Sequence, residues 1–253
     1  MSTDKRNETQ LICDILGLES LVDEISSKIL SRSSSSSSSG GGGGGGGGST
    51  AAAGVAAAAT PSTVLGPFHR ADAPMLANGS SIISPAARGT AWYGSAEPRL
   101  ARLTGRVLSA STGRALAGAA VEVWLAGPNG LYEQQDPGQP DMNLRGRFRT
   151  DGAGRYDVYA LRPAAYPIPL DGPAGRLLAL LDRPPYRPAH VHFIVAAAGH
   201  ATLVTQLFDR EDGHARRDAV FAVKEELLVS FEERAGDNRA RWQLTYDFLL
   251  REV

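Results

Sequence analysis

Between residues 8 and 30 the chain reads ETQLICDILGLESLVDEISSKIL, and Leu11, Ile15, Leu18, Val22, Ile25 and Ile29 recur at spacings of four and three. That period draws one apolar stripe along a helix. Gly17 is placed to end a first short helix, with a second starting near Ser20. Such a stripe requires cover, from the rest of the chain or from the same helix of a second copy.

Past residue 62 the pattern shortens to strands and turns. LTGRVLSASTGRALAGAAVEVWLA predicts a strand near Leu103–Leu108, a turn around Ser111–Gly113 and a strand near Ala120–Ala126. RGRFRTDGAGRYDVYAL reads as a hairpin, with Asp151-Gly152-Ala153-Gly154 turning Gly146–Thr150 into Arg155–Leu161. A proline-rich loop, RPAAYPIPLDGP, precedes RPAHVHFIV and the alternating TLVTQLFD, and AVFAVKEELLVSF and RWQLTYDFLL close the chain. Short strands with frequent turn signals predict a mostly β protein, a β-sandwich with a short N-terminal helical segment.

Between these parts, residues 31–62 are low-complexity: serines from Ser33 to Ser39, glycines from Gly40 to Gly48, then an alanine-rich stretch. The expected organisation is a helical segment over 1–30, a disordered linker over 31–62 and a β-sandwich catalytic domain over 63–253. A net charge of −1 gives no reason to expect nucleic acid or an anionic membrane as partner. No apolar run is long enough to span a membrane, and the polar start MSTDKRNETQ is not a secretory signal, so a cytoplasmic location is expected. Cys13 is the single cysteine, which excludes an intrachain disulfide. There is no phosphate-cradling glycine loop, so no NAD or flavin signature is present, and no G-x-S-x-G nucleophile motif.

The chemistry concentrates in RPAHVHFIV. His190 and His192 are two of five histidines and lie on one face of a strand, because side chains alternate. H-x-H alone leaves a metal site and a hydrogen-bonded polar pair equally open. Arg187, hemmed by Pro184, Pro185 and Pro188, adds a fixed cation that invites an anion. His69, His200 and His214 are scattered, and Asp157 and Asp209 sit where a turn or strand end explains them. Tyr132 and Tyr166 are better placed, in GPNGLYEQQDP and the proline-bound loop. A phenol, with a pKa of about 10, binds as tyrosinate only to a strongly acidic ion such as Fe(III). Taken singly, each tyrosine reads first as a packed aromatic with its hydroxyl hydrogen-bonded.

Six stretches in this order, TVLGPFHRADAP, GAAVEVWLAGPNGLYEQQDP, MNLRGRFRTDGAGRY, RPAAYPIPLDGPAGRLL, RPAHVHFIVAAAGHATLVTQLFD and DAVFAVKEELLV, resemble the intradiol ring-cleavage dioxygenases, in particular the catechol and hydroxyquinol 1,2-dioxygenase branch. LICDILGLESLVDEI is similar to the end of that family's N-terminal helical region. The resemblance implies one non-haem Fe(III) per chain held by Tyr132, Tyr166, His190 and His192, with O2 as co-substrate. Tyr166 matches the ligand that leaves iron when substrate arrives and takes its proton. Arg187 and Gln206 match residues lying over the bound diol. The implied reaction inserts both atoms of O2 into a small aromatic diol and cleaves the ring between the hydroxylated carbons, giving a muconate-type diacid.

QPDMNLRGRF and YPIP are more similar to hydroxyquinol and fungal-type members, so hydroxyquinol is the expected substrate, with maleylacetate or hydroxymuconate as product; catechol and chlorocatechol are the alternatives. The resemblance also implies a homodimer through the N-terminal helices, with an enclosed lipid. Three features depart from the family: a shorter helical region, the long Ser/Gly/Ala insertion, and Leu125 in place of a polar residue, with a longer RGTAWYGSAEPRL before the first strand. Two readings of other classes compete. GRFRTDGAGRY also resembles transthyretin-like and carboxypeptidase-regulatory-like binding modules, and His190 with His192 could serve a zinc hydrolase, which would lack a third ligand.

Overall fold

The computed structural model describes residues 6–36 and 57–253. Two helices come first, α1 (Glu8–Ile15) and α2 (Leu18–Ser36), split at Gly17 as the sequence predicts. Asn7 caps α1 by accepting from the Gln10 amide. After a short helix α3 (Ala91–Ala96) the strands begin: β1 (Leu100–Ser109), β2 (Ala120–Trp124), β3 (Arg145–Arg149), β4 (Arg155–Leu161) and β5 (Tyr166–Pro167). Helix α4 (Pro173–Leu180) is followed by β6 (Tyr186–Arg187), β7 (His190–Ala196), β8 (Leu203–Asp209), β9 (Leu228–Val229), β10 (Glu232–Glu233), β11 (Trp242–Thr245) and β12 (Phe248–Leu250).

The strands form a mostly β architecture of two five-stranded sheets and a two-stranded ribbon. In one sheet β1 pairs antiparallel with β4 and parallel with β11 and β12 in succession, and β10 extends the edge. The other runs β3-β2-β7-β8-β9, and β5 pairs with β6 alone. Leu103, Val107, Val158 and Phe248 from the first sheet meet Val121, Val123, Phe148, Val191, Phe193, Val195 and Leu207 from the second in one fully buried cluster. Each such side chain contributes about 1.5–3 kcal/mol.

Three features differ from the sequence expectation. Asp151–Gly154 does turn the chain, but β3 pairs with β2 and β4 pairs with β1, so the turn is a corner between sheets and not a hairpin. The turn signal is local, whereas partner choice is set by which sheet the flanking residues can complete. Helix α4 is not among the expected elements; it starts at Pro173, the last residue of the proline-rich loop and a helix-start residue, and runs on through the stretch beyond it. The expected linker is narrower at both ends. Helix α2 runs on to Ser36, since serine costs a helix only tenths of a kcal/mol per residue. Thr60 is buried, its amide donating to Leu249 and its hydroxyl accepting from the Leu249 amide. The remainder of that linker lies outside the described residues.

The apolar stripe divides at Gly17. Leu11 and Ile15 are buried against the body, and α1 packs on α4. Leu18, Leu21, Val22, Ile25 and Ile29 of α2 are exposed, 48–62% each. What holds α2 down is polar: Glu19 accepts from the Leu65 amide (2.8 Å), Ser20 donates to the Val220 carbonyl (2.9 Å), and Asp23 pairs with Lys224 (2.6 Å). No described helix is long and apolar enough to cross a membrane.

Asp14, near the end of α1, is 1% exposed. Burial first, then a hydrogen bond to Glu19 and that residue's charge, push its carboxyl from 3.8 up to about 8; Asp218 adds to the rise and Arg187 opposes it. Between those values the folded chain keeps a proton that the unfolded chain has lost, so this group's contribution to stability falls as pH rises and levels off above pH 8. Asp14→Asn is therefore expected to flatten that slope. Thermal melts at pH 5 and pH 8 should show the wild-type Tm dropping further than the variant's, by about 3–8 °C; parallel slopes would remove Asp14 as the cause.

Candidate active site: a buried tyrosine and histidine cluster

Strand β7 serves two surfaces. Val191, Phe193 and Val195 point into the sandwich core, which turns His190 and His192 to the opposite face. Sheet register then lays a row across that face: Arg145 on β3, Trp124 on β2, His192 on β7 and Gln206 on β8 are consecutive cross-strand partners. The β5–β6 ribbon places Tyr166 directly opposite Arg187. Tyr132 arrives from a turn closed by Gly130 N–H to Gly127 O (2.9 Å), and its own amide donates to Gln135 Oε1 (3.1 Å). The turn needs glycine twice over: Gly130 has φ +78°, and a Cβ there would lie 2.7 Å from Tyr166 Cβ.

Four polar atoms converge. Tyr132 Oη lies 3.0 Å from Tyr166 Oη and 3.0 Å from His192 Nε2. His190 Nε2 lies 3.1 Å from His192 Nε2 and 3.4 Å from Tyr166 Oη. All four side chains are buried, none more than 5% exposed. Atoms each ~2.1 Å from a common centre are spaced roughly 2.9–3.4 Å apart, so the quartet has the dimensions of a metal's ligand shell.

The surroundings fix each ring. His190 Nδ1 donates to the Pro188 carbonyl (2.6 Å), leaving the Nε2 lone pair for the cluster. His192 Nδ1 has no such partner; its ring lies flat on Trp124, with centroids 4.7 Å apart and planes 8° from parallel. Phe68 stacks on Tyr132 at 4.6 Å. Arg145, itself buried and paired with Glu133 (2.8 Å), sits 5.8 Å from the Tyr132 ring centre. Beside the quartet, Arg187 reaches His190 Nε2 (3.2 Å), Gln206 Oε1 (2.6 Å) and both oxygens of Asp218 (3.2 and 3.4 Å).

Burial, then the Arg187 charge, lowers His190 well below its ordinary value; burial, then His190 and Arg187, does the same to His192. Both imidazoles are neutral lone-pair donors. Burial raises both phenols, Tyr132 further because Tyr166 is beside it. Arg187 keeps its charge: burial pulls against it, but Asp218 and the two tyrosines outweigh that and raise it.

All six residues singled out in the sequence, Tyr132, Tyr166, His190, His192, Arg187 and Gln206, meet here. The other histidines do not. His69 pairs with Glu122, His200 bonds the Ala198 carbonyl and His214 stacks on Tyr186. Asp157 and Asp209 are held by Arg102 and Arg162. Among the described residues no three His, Cys, Asp or Glu side chains are grouped to hold a metal, so a zinc-hydrolase arrangement lacks its third ligand. Sequence reasoning gave no role to Trp124, Arg145 or Asp218. The first two could be found only from cross-strand register, and Asp218 only from a contact 31 residues distant.

A β-sandwich carrying this buried oxygen and nitrogen donor set has the form of a ring-cleaving dioxygenase. The family model described as Dioxygenase matches residues 94–252, and Catechol dioxygenase N terminus matches residues 1–32. The chain is 42% identical over 255 residues to a hydroxyquinol 1,2-dioxygenase of Rhizobium sp. strain MTP-10005, covering 97% of this chain and 74% of that protein. It is 38% identical to the intradiol ring-cleavage dioxygenase prcA of Aspergillus niger, covering 98% and 69%. The crystal structure of hydroxyquinol 1,2-dioxygenase from Pseudomonas putida DLL-E4 superposes with a TM-score of 0.76 at 32% identity, covering 100% of this chain and 78% of that one. The chain belongs to the intradiol ring-cleavage dioxygenases, enzymes that use non-haem iron and O2, and its substrate is a small catechol-type aromatic diol.

Gly130→Ala tests the turn. Gly199, at φ +72° with open space around it, provides a control for backbone strain alone. Urea unfolding should show Gly130→Ala destabilising by about 1–3 kcal/mol more than Gly199→Ala. Equal losses would show that the close approach to Tyr166 carries no weight.

Proposed function

We propose that the chain is an Fe(III)-dependent hydroxyquinol 1,2-dioxygenase, with one iron held by Tyr132, Tyr166, His190 and His192. The observation that carries this reading is the ring of four buried donors 3.0–3.4 Å apart. The donor set fits the ion. Two phenols driven upward by burial ionise only against a strong cation, and hard phenolate oxygens suit Fe(III), while neutral imidazoles complete the shell. When bound, the iron supplies Lewis-acid activation of the diol toward O2.

The residues have distinct tasks. Tyr166 Oη, in the two-stranded ribbon opposite Arg187, takes the proton that a diol hydroxyl gives up on binding. The Arg187 guanidinium stabilises negative charge developing on the ring, and burial of every charged neighbour makes that charge count for more than it would in water. Gln206 is engaged at both ends, accepting from Arg187 and donating to the Val64 carbonyl (2.6 Å), so it bridges the arginine to the segment that roofs the site. Trp124 holds the His192 plane. Motif similarity and the 42% identity to a hydroxyquinol 1,2-dioxygenase favour hydroxyquinol over catechol. The exposed apolar face of α2 supports a homodimer through the N-terminal helices.

Purified iron-loaded protein is expected to be burgundy, from tyrosinate-to-Fe(III) charge transfer, and to take up O2 faster with hydroxyquinol than with catechol or chlorocatechols. Tyr166→Phe should weaken the band and lower kcat by about 100-fold or more; full turnover in that variant would remove Tyr166 from the mechanism. Trp124→Ala should lower iron affinity by about 10- to 100-fold in chelator competition, through release of the His192 ring. Iron binding equal to wild type would contradict that role.

A further inference from the structure

The loop between β8 and β9 contains a carboxylate that the reaction does not itself require. Asp218, with its side chain 2% exposed, offers one oxygen to Arg187 Nε (3.2 Å) and the other to Nη2 (3.4 Å). The same oxygens accept from the Val220 amide (3.2 Å) and the Ala222 amide (3.0 Å). The carboxylate is thus fixed by its own loop and in turn fixes the guanidinium plane.

That loop has little regular structure of its own, and its geometry is imposed from outside. Phe221, half-exposed, is held at φ +58°, a conformation an aromatic residue keeps only where neighbours over-determine it. Those neighbours are the N-terminal helices and the segment from Arg183 into β6. Ser20 on α2 donates to the Val220 carbonyl (2.9 Å). Arg183 donates to the Ala219 carbonyl (2.7 Å) and to the Ile15 carbonyl at the end of α1, and its guanidinium lies 4.4 Å from the Phe221 ring centre. Lys224 binds Asp23 (2.6 Å), and the Ala219 amide donates to the Tyr186 carbonyl (3.1 Å), next to Arg187.

We propose that Asp218 is a positioning residue for Arg187, and that the α1–α2 helices, by stitching down residues 218–224, set the arginine's place over the site. The proposal rests on the ring-cleavage reading, in which Arg187 meets negative charge on the diol. Asp218 touches no substrate; it acts through the guanidinium. Its loss leaves a mobile buried cation, misplaced for the charge that develops during ring attack but not needed for the diol to bind.

The test measures wild type, Asp218→Asn, Arg187→Gln and the double variant, per bound iron, for O2 uptake with hydroxyquinol and for anaerobic diol affinity by visible titration. Asp218→Asn keeps the side chain's shape and removes its charge. The expected result is a kcat lower by about 10- to 100-fold with diol Kd changed less than about threefold, and a further loss below about twofold when the change is made in the Arg187→Gln background. A kcat within twofold of wild type, or losses that multiply fully in the double variant, would overturn the proposal. If Asp218→Asn does not fold, Ser20→Ala is read in its place: a few-fold fall in kcat that vanishes in the Arg187→Gln background supports the proposal, and an unchanged kcat overturns it. Wild-type turnover is the control. Its absence overturns the ring-cleavage reading and the proposal together, whereas normal wild-type turnover with unaltered variants overturns the positioning role alone.

Discussion

Everything at the site depends on the two-residue period of β7. Val191, Phe193 and Val195 are fully buried in the sandwich core, and that commitment forces His190 and His192 onto the other face at fixed spacing. A one-residue slip would drive both imidazoles into hydrocarbon and turn the three apolar side chains into the buried polar cluster. The core therefore protects the register of the site. The same register delivers Trp124 and Gln206 on either side of His192, with Arg145 beyond Trp124, so four side chains from four strands are placed by one set of backbone hydrogen bonds.

Burial this complete imposes a second condition, that every permanent charge at the site be matched. Arg187 is paired with Asp218, and Arg145 with Glu133, each pair almost wholly buried. Removing one member of such a pair costs far more than the pair contributes, because the survivor is left uncompensated. The four converging donors are neutral groups by contrast, two imidazoles lowered by burial and two phenols raised by it. The site can thus exchange protons at the phenols while its framework charges stay balanced.

The sequence displayed the site residues better than the topology. H-x-H with two tyrosines and an arginine is a pattern of residue types, and all of them lie in stretches whose local backbone is constrained by proline or glycine, such as RPAHVHF and GPNGLY. The misread hairpin shows what a local pattern lacks. DGAG announces a turn, but β4 finds its partner in β1, some fifty residues earlier, and no residue between 145 and 161 encodes that choice alone. Asp218 was invisible for the same reason: an aspartate before an apolar run looks like any loop carboxylate until the fold brings Arg187 against it.

The second N-terminal helix, α2, inverts the usual amphipathic arrangement that α1 keeps. A helix on a globular body ordinarily buries its apolar stripe and shows its polar face to water. Here α2 turns Glu19, Ser20 and Asp23 toward the body and leaves Leu18, Leu21, Val22, Ile25 and Ile29 outward. The inward contacts are all directional hydrogen bonds or ion pairs to residues 62–65 and 220–224, the segments that carry Val64 onto Gln206 and lead from Asp218. Apolar packing would hold the helix firmly while tolerating small shifts; hydrogen bonds at fixed atoms do not tolerate them. A helix attached in this way transmits its own position to the arginine and the glutamine beside the four donors, which gives the polar face of α2 a physical reason to lie inward.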